Sequence, residues 1–558
     1  MRYFLPLTVL GVILDGLLAA EARSVVVNLQ QDVSQSHSLS RRAEGINQVA
    51  PASDSVSYYT LMSIGDIAFR IALDTGSSDL WLLSSDCLSS QCKSVPTYPL
   101  NFHSPSFGII NGNSTTFNLS FADTTVATGY LATENVQLSN FTIPDQIFGV
   151  VNNTNVTLNS QVSGLLGLGF PRLSEFSARV STSLPFLNRL AQQGLMDYPL
   201  FGISLTRNMT GSLSLGAIDT SVVQNISLIE WHPVMPFSPF GAESNTSRYL
   251  QWAIPINALG VNGTSVAPQP TYPDIVGSSL ALLDIGTNGI FGPYQDVSRM
   301  FDLIEGARLV DEQVGQWVIP CDTQVPMTFS FGHGNFTLQP TDYIIGPTTG
   351  EPSLCLAWPR ASADVGDGID WQLGTPFLRT VYSVFSFGIS TKEPPMIGLY
   401  EINNSTTSNE TISQISSFLA SASPTITTTV PNSLLSTVTP TPVSYIFNTS
   451  VPASLGQIVA SELGNSTYSP LLNGPTINAS AIPAITPSPT LQTFIITDGT
   501  IVFTSTSVAA TSSVALGRPP GVSGSKRLSS PPSVILGHLI GSLALLLFVT
   551  QNFLFVSV

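Results

Sequence analysis

Charge is what this 558-residue chain has least of. Only 10% of its residues are Asp, Glu, Lys or Arg, with 19 basic against 35 acidic and a net charge of −16. So little basic surface argues against nucleic acid as a partner, because phosphates would go unneutralised. Cysteine is scarce too, at four residues. An even number in a chain bound for an oxidising compartment reads as disulfides rather than free thiols. Four cysteines allow three pairings; the local one, Cys87–Cys92 and Cys321–Cys355, keeps one bridge in each half of the body. Helical periodicity is thin as well, with candidate helices only near 185–193 and 294–304, which excludes a mainly helical fold.

What the chain does have is short apolar, β-branched runs such as 69–73, 129–133 and 380–385, punctuated by Gly, Asn, Asp, Ser and Pro. Those are strand signals. From about residue 58 to 401 they predict an all-β body, long enough for two lobes. Processing signals flank it. Residues 1–20 have Arg2, an apolar run and Ala19-Ala20, the layout of a secretory signal peptide. Residues 21–42 are polar, end in Arg41-Arg42 and read as a pro-segment, which leaves 43–402 as the body. About sixteen Asn-x-Ser/Thr sequons, among them Asn113, Asn118 and Asn335, suit a secreted glycoprotein.

Residues 403–524 are dominated by Ser, Thr, Pro and Asn and read as an O-glycosylated stalk. Within them, 493–503 has hairpin character around Asp498-Gly499, with an extended piece of stalk as the competing reading. Residues 525–558 hold a polar spacer with Lys526 and Arg527 and then an apolar run, 534–558. With small residues upstream, this is the arrangement of a glycosylphosphatidylinositol attachment signal, and Ser523 or Gly524 is the attachment residue. A retained transmembrane helix is the alternative, since the length suffices. The expected location is the cell surface or cell wall, with the plasma membrane reached through a lipid.

One motif occurs twice. Leu73-Asp74-Thr75-Gly76-Ser77 and Leu283-Asp284-Ile285-Gly286-Thr287 each place an Asp after an apolar run, a Gly two positions on and a hydroxyl three positions on. A Gly-rich apolar element follows each at a closely matching distance: 164–170 after Asp74 and 371–378 after Asp284. Gly lets another backbone approach closely. The repeat predicts two similar halves that bring one Asp each to a shared cleft. Two carboxylates so placed cannot both ionise cheaply; they hold one proton between them and activate water.

These residues resemble the pepsin-like aspartic proteases, and among them the lipid-anchored fungal group similar to yapsins. Asp74-Thr75-Gly76-Ser77-Ser78-Asp79-Leu80-Trp81 is similar to the family's first signature, 282–287 stands at the second, and 371–385 looks like its last block. The resemblance implies a bilobal fold of two pseudo-twofold-related, barrel-like lobes. It implies an acid endopeptidase with Asp74 and Asp284 as the catalytic pair, with no metal and no cofactor. Thr75, Gly76, Ser77, Gly286 and Thr287 would support the pair, the hydroxyls of Ser77 and Thr287 donating to the outer carboxylate oxygens. Phe121 would cover the cleft from a flap, and Trp81 would line it. Substrates would be proteins or peptides, and the enzyme a monomer.

The sequence departs from the family at two positions that matter. Ile285 stands where a Thr or Ser hydroxyl bonds across to the opposite loop, and Phe121 stands where a Tyr hydroxyl reaches the Trp matching Trp81. An impaired homologue that binds surface peptides or glycoproteins is therefore the alternative to an active enzyme. A wall glycoprotein with a vestigial cleft is a third reading.

Overall fold

The run Ile-Ala-Phe-Arg-Ile-Ala-Leu-Asp shows why the strands form. In the strand Ile67–Asp74 side chains alternate between buried and half-buried for four residues, then all four are buried as the chain enters the centre. Alternation marks a strand with one covered face, and continuous burial one covered on both. The computed structural model describes residues 25–32, most of 57–402, 409–421, parts of 463–486, the strand pair 491–498 and 501–508, and 516–519. The expected signal peptide, Arg41-Arg42, Ser523, Gly524 and the apolar tail lie outside the described residues.

The architecture is mostly β, as the strand signals predict. In the first half, Ser57–Ile64, Ile67–Asp74, Val162–Gly167, Leu80–Leu83, Phe141–Thr154 and Val126–Leu138 pair in that order. Pairing of Ser63 with Gln137 and Ile64 with Val136 closes these six strands into a barrel. The second half uses a five-stranded sheet and two four-stranded sheets. A sheet shared by both halves joins them, through Leu200–Leu205 paired with Val381–Ser386. The two expected helices are present as Phe186–Gln192 and Tyr294–Phe301.

The repeat read from sequence is a repeat in space. In one half Ile67–Asp74 runs parallel to Val162–Gly167, with Asp74 opposite Gly167. In the other Leu280–Leu283 runs parallel to Trp371–Leu373, with Leu283 opposite Leu373. The glycines are required by close approach. A Cβ at Gly167 would lie 2.4 Å from the Ser78 backbone, and one at Gly374 would lie 2.0 Å from the Thr287 carbonyl oxygen. Each Asp loop is thus threaded against its own half's Gly element.

The disulfides are Cys87–Cys92 and Cys321–Cys355, the local pairing. The segment read as a pro-segment supplies the strand Val25–Asp32, which lies antiparallel between Thr210–Leu215 and Ser57–Ile64 in the shared sheet. Part of the span read as a stalk packs on the body. Leu463, Tyr468, Leu472 and Ile482 are buried. Ala484–Ile485 adds a parallel strand to Ile218–Asp219. The Tyr468 hydroxyl donates to the Met196 carbonyl at 2.9 Å, and the backbone N–H groups of Leu471 and Leu472 donate to the buried Glu393 carboxylate at 2.6 Å. Further on, Leu491–Asp498 pairs with Ile501–Val508 as the Asp498-Gly499 hairpin signal predicts. Among the described residues no helix is long and apolar enough to cross a membrane.

Candidate active site

Asp74 ends its strand and Asp284 follows Leu280–Leu283, so each carboxylate emerges from a stretch of four strand residues that are all buried. They are buried, at 7% and 5% exposure, yet their loops face each other. The Gly76 N–H donates to Asp74 Oδ1 at 2.8 Å and lies 3.1 Å from Asp284 Oδ1. The Gly286 N–H donates to Asp284 Oδ1 at 2.9 Å. Neither position tolerates a side chain. A Cβ at Gly286 would sit 2.5 Å from Asp74 Oδ1, and one at Gly76 would sit 2.9 Å from Asp284 Oδ2. Glycine in the motif is what allows the two carboxylates to meet.

The outer oxygens are held by hydroxyls. Ser77 Oγ donates to Asp74 Oδ2, and Thr287 Oγ1 donates to Asp284 Oδ2 at 2.7 Å. Burial, followed by the neighbouring Asp284 charge, raises the Asp74 pKa, and the bonds from Ser77 and Gly76 oppose that rise. A pair in this arrangement keeps one proton through mild acid. One oxygen can then take a proton from water while the partner carboxyl gives one up.

The two loops are tied together from one side only. Thr75 Oγ1 accepts from the Ile285 N–H at 3.0 Å and sits 2.9 Å from the Leu283 carbonyl, to which it donates. Ile285 offers no such group in return, and its side chain is 1% exposed within the main apolar core. Ile285 thus contributes apolar packing at this position and no side-chain hydrogen bond across the loops.

Phe121 lies at the tip of the hairpin between Thr116–Ser120 and Val126–Leu138. Its ring is half-buried and packs 6.5 Å, centroid to centroid, from that of Trp81. Trp81 is fully buried, and its Nε1 has no hydrogen-bond partner among the described residues. The orphaned donor belongs to a ring packed against Phe121, which carries no hydroxyl to accept from it.

Two other residues have no role in the sequence reading, although the first lies within the Asp74–Trp81 motif. Asp79 is buried, and it accepts from Ser174 Oγ and from the Glu175 N–H at 2.8 Å; burial pushes its pKa up to about 7. Trp252, far from either motif in sequence, bonds to structure next to both loops.

With this geometry in view, the comparisons decide the family. The description "Eukaryotic aspartyl protease" matches residues 57–392. The chain belongs to that family. It is 29% identical to major aspartyl peptidase 1 of Cryptococcus neoformans over 389 residues, which cover 65% of this chain and 72% of the relative. An aspartic protease of Phaffia rhodozyma is 28% identical over 62% of this chain and 78% of its own length. Mouse cathepsin E is 27% identical, over 60% of this chain and 78% of its own. The match stops near residue 392, so the packed residues between 463 and 486 lie beyond it.

Proposed function

We propose that this eukaryotic aspartyl protease is an active endopeptidase of the cell surface, with Asp74 and Asp284 as its catalytic pair. The observation that carries the reading is the facing of two buried carboxylates around the Gly76 N–H, each with its outer oxygen held by a hydroxyl. The ionised partner takes a proton from water, which attacks the scissile carbonyl. The protonated partner donates to the oxygen that gains charge. The proton count is restored when the amine leaves. Secretion, glycosylation and a lipid tether belong to the same proposal, and their support is the sequence layout of residues 1–20, the sequons and residues 525–558.

The test is direct. The purified protein is incubated with a denatured protein substrate from about pH 3 to 6, with and without a statine-type transition-state mimic. Cleavage blocked by the mimic is the expected result. No cleavage anywhere in that range overturns the reading.

A second reading, an impaired homologue that binds peptides without cutting them, has two observations in its favour: Ile285 lacks a hydroxyl, and Trp81 Nε1 is orphaned under Phe121. It makes a contrasting prediction. If the enzyme is active but short of one flap bond, Phe121→Tyr supplies the acceptor that Trp81 lacks. A buried hydrogen bond contributes about 0.5–1.5 kcal/mol, so kcat/KM should rise by up to about tenfold. In an inactive binder the same substitution changes peptide affinity alone. Steady-state kinetics and peptide-binding calorimetry on the two proteins separate the cases.

A further inference from the structure

We propose that Trp252 is a positioning residue that holds both Asp loops at once and makes up for the one-sided tie at Ile285. The proposal rests on Asp74 and Asp284 working as a pair. Its observation is a continuous path of hydrogen bonds. The Leu168 N–H donates to the Asp74 carbonyl oxygen at 2.7 Å. The Leu168 carbonyl accepts from Trp252 Nε1 at 3.0 Å. The Trp252 carbonyl accepts from the Leu283 N–H at 3.1 Å, one residue before Asp284. A single residue therefore reaches one loop through its side chain and the other through its backbone.

The indole is fixed in place. It is fully buried, and its ring lies 4.2 Å from that of Phe170, 5.2 Å from Phe385, 5.3 Å from Phe387 and 5.9 Å from Phe201, centroid to centroid. These rings come from both halves and from the sheet that joins them. A ring packed on several sides cannot swing, so its N–H has one direction to point. That direction is toward the Gly-rich element of the first half. Burial alone does not secure such a bond in this fold: the indole N–H groups of Trp231 and Trp317 are buried without a partner among the described residues.

The arrangement answers a need particular to this chain. Thr75 ties the loops with its hydroxyl, and the matching position, Ile285, returns nothing. Bonded to the levels of Leu168 and Leu283, Trp252 opposes relative sliding of the loops. Sliding is the motion that a missing cross-loop bond would permit. A misplacement of the carboxylates shows in the chemical step more than in substrate binding.

The test uses the purified whole protein and its Trp252→Phe variant, which keeps an aromatic ring and removes the donor. The expected result is a kcat lower by about 3- to 10-fold, a KM within about twofold and a shifted acid limb of the pH profile. Adding Ile285→Thr to Trp252→Phe, which restores a second cross-loop hydroxyl, should recover part of the lost kcat. A folded Trp252→Phe protein with unchanged kcat and pH profile overturns the proposal. So does a double variant with no recovery.

A second measurement needs no turnover and leaves Trp252 in place. The otherwise unmodified protein is labelled with 5-fluorotryptophan, and the Trp252 resonance is assigned by exchanging the other tryptophans singly for Phe. That resonance should move as the carboxylate pair titrates and should stay still in Asp74→Asn. A resonance that is silent through the titration overturns the proposal. If the unmodified protein cleaves nothing, the endopeptidase reading fails while the fluorine titration still decides the role of Trp252.

Discussion

Asp74→Asn and Asp284→Asn are each expected to lower peptide cleavage near pH 4 by at least about 10²–10⁴-fold, the range that positioned acid–base groups contribute. The argument is one of proton inventory. The pair needs one ionised and one protonated carboxyl, and an amide can be neither. The geometry around Asp74 should survive the change. Its Oδ1 accepts from the Gly76 N–H and its Oδ2 from Ser77. An amide keeps the first bond through its oxygen, and the Ser77 hydroxyl can turn to accept from the amide nitrogen. Activity and stability should therefore part company. Burial and the neighbouring Asp284 charge raise the Asp74 pKa. An uncharged replacement removes that penalty, so Asp74→Asn should melt at a higher temperature than the unmodified protein at neutral pH. Activity assays and calorimetry on the same preparations check both halves. Residual cleavage near the normal rate would remove Asp74 from the catalytic step.

Stability itself should fall steeply as pH rises. Burial raises the pKa of Asp79 to about 7 and of Asp370 to about 6 from an ordinary 3.8, and it raises those of Asp74 and Asp296 as well. The folded chain thus holds protons that the unfolded chain has already released. The sign follows: the stabilising contribution is complete below about pH 3.8 and is lost as pH rises through about 6 for Asp370 and about 7 for Asp79. Each pH unit over which the folded chain holds one extra proton is worth about 1.4 kcal/mol. The melting temperature should be highest near pH 4 and decline toward pH 8. Asp79→Asn should flatten the decline, because an amide can still accept from the Glu175 N–H and donate to Ser174 Oγ. A melting temperature level from pH 4 to 8 would contradict this account. A fold most stable in acid would suit the acid cleavage proposed for the Asp74–Asp284 pair.

The part of this structure legible in the sequence is the part written locally. Asp74-Thr75-Gly76-Ser77 and its counterpart carry their own reason, since each glycine is demanded by the opposite carboxylate. The Gly167 and Gly374 elements were legible for the same kind of reason: a side chain there would strike the Asp loop. The local disulfides and the two short helices also follow from nearby residues. Trp252 was not legible. Its meaning lies in bonds to residues 168 and 283, and no spacing near Trp252 encodes them. The burial of Leu463, Tyr468, Leu472 and Ile482 was hidden differently. Four apolar residues at irregular intervals among Ser, Thr, Pro and Asn carry neither a period of two nor one of 3.6, so composition outweighed them. The strand Val25–Asp32 was masked by its surroundings: its Val-Val-Val start has strand character, but the segment around it is polar.

The packed residues between 463 and 486 also determine how this protein would bear a mechanical load. A stalk that left the body at residue 402 would deliver tension to the end of Met396–Glu401, which pairs on both sides within the shared sheet. Here, tension from the C-terminal side first meets the Gly517 N–H bond to the Ala68 carbonyl, then the Ala484–Ile485 pairing with Ile218–Asp219, then the side chains of Ile482 and Leu472, then the bonds to Glu393 and Met196. A parallel strand pulled along its length loads its bonds together, in shear. Once the single bond to Ala68 gives way, the load is shared among several contacts before it reaches residue 402.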